Sequence, residues 1–271
     1  MTFNLIETSI DLGKPVRLYL FERGLLRWGY CTADRNVTYA SQLYRTLQIS
    51  DNNIRQSGEP SADAFEVTVP AGIEVAELYR GIGPSSDIIL TVRDMHYGDT
   101  EAIIGYVGAI QTVQFPAEDR AVIVCNSDAI SLNQIGLRLT WGRGCPHVLY
   151  ERGCYVNRDL YKVESSIQSM NGVRISNGAF AGYSDGWFNG GYVEWAVGTA
   201  QYDRRAIESH TNSDLVLLGG TQGLALAMDV TAFPGCDRII QTCHDKFGNV
   251  ENYGGQPHQP GKNPFDSSPI F

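Results

Sequence analysis

A chain of 271 residues, 43% of them apolar, can bury a substantial core as one large domain or two smaller ones, so no metal is required merely to fold it. A formal net charge of −9 and a pI near 5.0, with no run of Lys and Arg, exclude a surface that grips phosphate. Nucleic acid that only slides past is compatible with this balance, because a negative wall repels phosphates and keeps a passage from becoming a binding site.

The opening MTFNLIETSIDLGKP has neither a basic region nor an unbroken apolar stretch, and no secretory signal is expected. The longest apolar tract, Asp214 to Met228, is broken by Gly219, Gly220, Thr221, Gln222 and Gly223 and is too short to span a bilayer. The chain is therefore expected to fold in a reducing cytosol, where clustered cysteines serve as metal ligands more often than as disulfides.

From Phe3 to Asp128 the pattern predicts strand after strand. PVRLYLFERG, LLRWGYCTAD, AFEVTVPAG, DIILTVRDM, EAIIGYVGAIQTVQF and AVIVCNSD alternate with period two or carry short β-branched and aromatic runs between turn residues. Tyr39 to Leu47 reads as a short helix or a loop. Cys31 and Cys125 fall inside strands and are assigned to the core, where a free cysteine packs as a small hydrophobe. Residues 129–160 read as an irregular connector held by something other than sheet hydrogen bonds.

Strands resume in DLYKVESSIQSM, GVRISNG, GYVEWAVGTA, DRRAIESH and DLVLLGG. Among them GAFAGYSDGWFNGGYVEW sets glycines beside Phe180, Tyr183, Trp187, Phe188 and Tyr192, which predicts a close-packed hairpin whose aromatics face either an interface or the core. The tail NVENYGGQPHQPGKNPFDSSPIF is too rich in Pro, Gly, Asn and Ser for a regular element and reads as an extended strap on this chain or on a neighbour. The expected fold class is mainly β: two packed antiparallel modules, barrel- or sandwich-like, at residues 1–128 and 129–271, with an irregular metal-binding segment in the second.

Four cysteines carry the chemistry. Cys145 and Cys154 enclose eight residues, Cys236 and Cys243 enclose six, and a glycine or proline adjoins the first cysteine of each pair. Such loops can fold several thiolates around one point, and the flanks GRGC, ERGC, PGCD and QTCH are poor settings for inert core thiols. Four soft sulfur ligands suit tetrahedral zinc or an iron–sulfur cluster. Zinc knuckles usually enclose two to four residues, so these wider loops suit a bulkier group, with zinc still open.

Catalytic patterns are weaker. His147, His210, His244 and His258 have no cysteine opening a helix behind a glycine-rich turn, so a Cys–His hydrolase of cell-wall peptide stands only as a rival. His147 and His244 adjoin candidate ligands and are expected at the surface or supporting a ligand. HExxH and GxxxxGK[ST] are absent from the sequence. GIGPSS at 81–86 and GGTQG at 219–223 read as hairpin turns, and Asp185, Glu194 and Asp203 as a solvated face or subunit contacts.

The block PGCDRIIQTCHDKFGNVENYGGQPHQPG resembles the C-terminal signature of a tail-tip hub family of long-tailed bacteriophages and gene transfer agents, related to the minor tail protein L of phage lambda. Its matching residues here are Cys236, Cys243, Phe247, Asn249, Asn252, Gly254 and Gly255; upstream, Cys145-Pro-His-Val-Leu-Tyr150 leading to Cys154 is similar to the family's first cysteine pair. Tyr253 departs from the pattern, standing where the family has phenylalanine. The resemblance covers roughly residues 140–160 and 230–262 and is weaker over the N-terminal strands.

It implies a non-enzymatic virion protein, assembled in the host cytoplasm. Such a protein forms a β-barrel ring, commonly a homotrimer, between the distal tail protein ring and the central fibre or receptor-binding proteins. It also implies a [4Fe-4S] cluster on Cys145, Cys154, Cys236 and Cys243, and DNA passing through the ring without specific binding. A zinc-stapled binding module is the remaining alternative. Closing the 81 residues between Cys154 and Cys236 through a metal would stabilise the fold by about 4 to 5 kcal/mol, by analogy with a disulfide.

Overall fold

The computed structural model describes residues 3–9, 11, 13–54, 64–127, 136 and 141–260. Two compact units emerge, Met1–Gln134 with Val197–Gln201, and Ile135–Ala196 with Tyr202–Phe271. The expected boundary at residue 128 lies outside the described residues, as do most of 129–140 and the last eleven residues of the tail.

In the first unit, alternation produces the strands it predicts: β1 (Pro15–Arg23), β2 (Leu26–Cys31), β6 (Phe65–Pro70), β7 (Ile89–His96), β8 (Ala102–Ala117) and β9 (Arg120–Ser127). Leu18, Phe21, Val67, Leu90, Val92 and Ile123 are fully buried; Leu18 and Phe21 point to opposite faces of β1 and pack into two separate core clusters, so this strand is covered on both sides. Two short strand pairs complete it, β3 (Val37–Tyr39) with β4 (Gln42–Thr46), and β5 (Ser50–Asp51) with β6, giving nine strands in the order β3-β4-β2-β1-β7-β8-β9-β6-β5.

The segment Tyr39 to Leu47 is therefore a hairpin and not a helix or loop. Ala40 and Ser41 both take positive φ (47° and 64°) and make the two-residue turn that lets Tyr39 oppose Gln42. No Gly or Asn advertises that turn, which is why the sequence conceals it. β2 and β4 pair in parallel (Tyr30↔Arg45), so the sheet is not wholly antiparallel. Two short helices, α1 (Phe3–Glu7) and α2 (Glu74–Glu77), also interrupt the expected run of strands.

The second sheet holds seven strands, β10 (Val163–Ser166), β11 (Ser169–Asn171), β12 (Arg174–Ser176), β13 (Tyr192–Gly198), β14 (Gln201–Thr211), β15 (Asp214–Leu217) and β16 (Asp229–Phe233), in the order β10-β16-β13-β14-β15-β12-β11. Strand β16 escapes the sequence reading because DVTAF is short and follows a glycine-rich stretch. Of the two sheets, one curves as a half-barrel; as described, both keep open edges, so neither is the closed barrel that was one expectation.

The aromatic glycine run is not a hairpin. A 3-10 turn at Phe180–Gly182 and successive tight turns lead into β13. Phe180 and Phe188 are buried at 1% and 0% exposure, so the run supplies core, while Tyr183 stays partly exposed and stacks on Trp187.

Candidate metal centre

Residues 141–160 form no strand, and their shape comes from specific contacts. The Cys145 N–H donates to the Arg238 carbonyl at 3.0 Å, tying the first cysteine loop to the second. The Tyr253 hydroxyl lies 2.7 Å from the Arg143 carbonyl and 3.0 Å from that of Arg238, and shares its proton across the same junction. The departure from phenylalanine at this position thus adds a tie that a plain ring could not make. Beyond it, Gln256 N–H donates to the Gly142 carbonyl and Arg143 Nε to the Gln259 carbonyl, so the described part of the strap closes over its own cysteine loop.

The second pair is held by helix α3 (Ile240–Phe247). Ahead of it Asp237 makes a turn, accepting from the Ile239 N–H at 3.0 Å and the Thr242 hydroxyl at 2.8 Å; Gly248, at φ 57°, stops the helix in the left-handed conformation. Cys236 thus precedes the helix while Cys243 sits on its buried side beside Phe247. The sequence carried both signals, an Asp before an apolar run and a Gly after a basic last turn, within a segment read only as cysteine loop.

All four thiols line one cavity of about 230 Å³, together with His147, Tyr150, Tyr192, Asn249 and Tyr253. The predicted ligands are thereby brought together, whereas Cys31 and Cys125 stay fully buried in the first unit. Burial pushes the Cys125 thiol up to about 12, the state of an inert core cysteine. Burial also raises Cys236 and Cys243 above the usual thiol range, and the nearby thiols, Cys145 and Cys154 among them, raise them further.

Donors already face the sulfurs. The Arg238 N–H points at Cys236 Sγ (3.3 Å), and the Asn249 amide nitrogen lies 3.7 Å from Cys154 Sγ. Among the described residues no group of three or more His, Cys, Asp or Glu side chains forms a ready metal site. A donor set of four soft thiols lining one cavity is the chemistry that thiolate-bound zinc or an iron–sulfur cluster would use.

The backbone around the site is unusual. Tyr150, Tyr155 and Arg238 occupy positive φ (67°, 58° and 66°), a region that costs non-glycine residues about 1 to 3 kcal/mol each. Tyr150 is fixed there by its hydroxyl, which donates to the Pro234 carbonyl at 2.7 Å, and by edge contacts with Tyr192, Phe233 and Phe247. Lys246 donates from its ammonium to the carbonyls of Gly235 (2.7 Å) and Trp187 and lies over the Trp187 ring, fastening the Pro234–Cys236 turn. Tyr150 entered the sequence analysis only as the end of the first cysteine block, and Lys246 carries no signal there.

His147 borders the cavity, but its ring is packed between Gly153 and Gly254: an added Cβ would stand 2.6 and 2.4 Å from its nitrogens. Among the described residues no hydrogen bond joins this ring to a thiol. His244 is exposed beside Asp245, His258 is exposed, and His210 is buried against Phe188. Glu194 corrects an expectation. It lies at 8% exposure, a buried carboxylate bridged by the partly exposed Arg204 (2.7 Å) and Arg158 (3.4 Å), and not a solvated acid. Asp185 accepts the Asn212 N–H in a turn. The 219–223 loop aims the carbonyls of Gly220 and Gln222 at Arg205, the reverse of a phosphate cradle.

With this geometry in place, comparison with known proteins is informative. The family model described as baseplate hub protein, N-terminal attachment domain, matches residues 22–157, half of the chain. The chain belongs to the phage baseplate hub proteins. A hub is a structural part of the virion tail, so this is a virion protein. A second model, described as phage conserved hypothetical protein BR0599, matches residues 186–263, which include the second cysteine pair.

An uncharacterized protein of Xylella fastidiosa strain 9a5c is 27% identical over 188 residues; the match spans 63% of this chain and 38% of that relative. The fold is shared with a chain solved in the virion of a native gene transfer agent particle, at TM-score 0.81 and 19% identity, covering 99% of this hub chain and 95% of the other. Among the described residues no helix is long and apolar enough to cross a membrane.

Proposed function

We propose that this hub is a non-enzymatic ring component of the tail tip, joining the distal tail protein ring to the central fibre or receptor-binding proteins. It would assemble as a homo-oligomer, commonly a trimer, and let DNA pass, with a [4Fe-4S] cluster held by Cys145, Cys154, Cys236 and Cys243. One observation carries the reading: thiols from two segments separated by 81 residues line a single cavity of about 230 Å³. When bound, the cluster would supply four strong bonds across that separation, a staple with no chemistry toward a substrate. Arg238, Tyr253 and Lys246 position the loops that present the thiols. The acidic balance suits a passage that DNA leaves without sticking.

The direct test substitutes each of the four cysteines by serine in the producing phage or particle genome and counts assembled tails. The staple reading expects the same loss of tail assembly from each, with Cys31→Ser and Cys125→Ser sparing metal content. Peptidoglycan release abolished by one cysteine substitution alone would overturn it in favour of a Cys–His hydrolase.

A further inference from the structure

Asn249 is placed to act on both halves of the thiol set at once. Its side-chain nitrogen donates to the Cys154 carbonyl at 2.6 Å and lies 3.7 Å from Cys154 Sγ. Its backbone N–H donates to the Cys243 carbonyl at 3.1 Å, and its own carbonyl accepts from the Cys243 thiol at 3.3 Å. One residue thus touches a cysteine from each pair, across 95 positions of sequence.

The orientation of its amide is fixed by chemistry. A carbonyl can only accept, so the atom facing the Cys154 carbonyl must be the NH₂, and the amide oxygen must point the other way. There it accepts from Asn252 Nδ2 at 2.7 Å. The relay Asn252 to Asn249 to Cys154 therefore uses one amide hydrogen on the carbonyl and leaves the second directed at the sulfur. Gly248, at φ 57°, sets the turn that brings Asn249 back over the end of α3.

We infer that Asn249 is the positioning residue of the metal centre, holding Cys154 at the distance the Cys236–Cys243 pair requires and donating its second N–H to the Cys154 sulfur when that sulfur is a metal-bound thiolate. The inference rests on the cluster reading only for the second half. Hydrogen bonds to ligand sulfurs raise the reduction potential of thiolate-bound iron, because they stabilise the more negative reduced state. Asn252, whose side-chain nitrogen donates to the Asn249 amide oxygen, acts by fixing the amide's direction.

The test compares the full chain with Asn249→Asp, which keeps the shape but removes both N–H donors, and with Asn252→Ala, which leaves the amide in place but unfixed. Three readouts are taken on anaerobically purified protein: iron and sulfide content, midpoint potential, and the rate at which Cys154 is alkylated in metal-free protein. Asn249→Asp is expected to weaken metal retention on the order of 10- to 100-fold, to shift the potential of any loaded fraction negative, and to speed Cys154 alkylation while Cys31 and Cys125 remain protected. Asn252→Ala is expected to move all three the same way by less.

Wild-type iron content and potential in Asn249→Asp, or unchanged Cys154 alkylation in both variants, would overturn the proposal. If the wild-type chain itself binds no iron, the cluster reading fails and the alkylation rates alone decide the role of Asn249. If Asn249→Asp does not fold, Asn252→Ala decides it through the same readouts.

Discussion

Adjacent glycines in the strap, Gly254 and Gly255, offer a sharp test of how the site is packed, because an alanine at each would collide with a different kind of neighbour. At Gly254 the added Cβ would stand 2.4 Å from His147 Nε2 and 2.8 Å from Cδ2, contacts with a side chain. That ring cannot retreat freely, since Gly153 closes its other side. At Gly255 the Cβ would meet backbone, 2.6 Å from the Arg143 carbonyl oxygen and 2.8 Å from Gly144. Overpacking of this kind costs about 1 to 3 kcal/mol where side chains can shift. Gly254→Ala is expected inside that range, and Gly255→Ala at or above its upper end because the first cysteine loop must move.

The decisive comparison adds His147→Ala to each. Removing the ring should restore Gly254→Ala to within about 0.5 kcal/mol of the His147→Ala background, and leave Gly255→Ala as damaging as before. Denaturant unfolding of the five variants (two glycine singles, His147→Ala and the two doubles) against wild type measures both couplings. Equal costs at the two glycines, or no rescue of Gly254→Ala by His147→Ala, would refute the packing described here.

Three further changes probe other parts of the chain. Tyr253→Phe restores the family residue and removes a hydroxyl shared between two carbonyls; it should cost about 0.5 to 1.5 kcal/mol of stability while metal content stays unchanged, as metal analysis beside unfolding curves will show. In the first unit, burial pushes the Asp51 carboxyl up, but hydrogen bonds from Tyr19 (2.5 Å) and Arg17 (2.8 Å) and from the Asn53 N–H outweigh it and hold Asp51 below the usual carboxylate range.

A depressed acid stabilises the fold above its unfolded pKa, and that contribution disappears as pH falls through the folded value. Asp51→Asn should therefore cost about 1.5 to 3 kcal/mol at neutral pH and flatten the stability profile below about pH 4; an unaltered acid limb would contradict the assignment. Phe188→Ala, at a fully buried ring, should cost about 3 to 5 kcal/mol, whereas an interface role for that ring predicts little loss in the isolated chain.

What could be read from sequence follows the physics of each signal. Period-two alternation located β6, whose Phe65, Val67 and Val69 are its buried residues, whereas β1, β7 and β9, with consecutive buried residues, were located by their β-branched and aromatic runs. The glycine-rich polar flanks of Cys145, Cys154, Cys236 and Cys243 separated them from Cys31 and Cys125. The Ala40-Ser41 turn stayed hidden because its left-handed residues are held by the strands on either side and not by their own preference. Helix α3 lay within a segment whose cysteines dominated the reading. The burial of Glu194 depends on Arg158 and Arg204, whose approach is a property of the folded sheet and not of local spacing. Likewise Asn249 was visible as part of a family signature, but its bonds to Cys154 and Cys243 exist only after segments 95 positions apart meet.

The central claim is that four thiols around one cavity hold an iron–sulfur staple. Iron and acid-labile sulfide content, read with the visible spectrum of anaerobically purified protein, tests it most directly. The account predicts a brown protein with broad visible absorbance and about four irons and four sulfides per chain, all lost in Cys154→Ser and retained in Cys125→Ser. A colourless protein carrying stoichiometric zinc, or one that binds no metal, would contradict it.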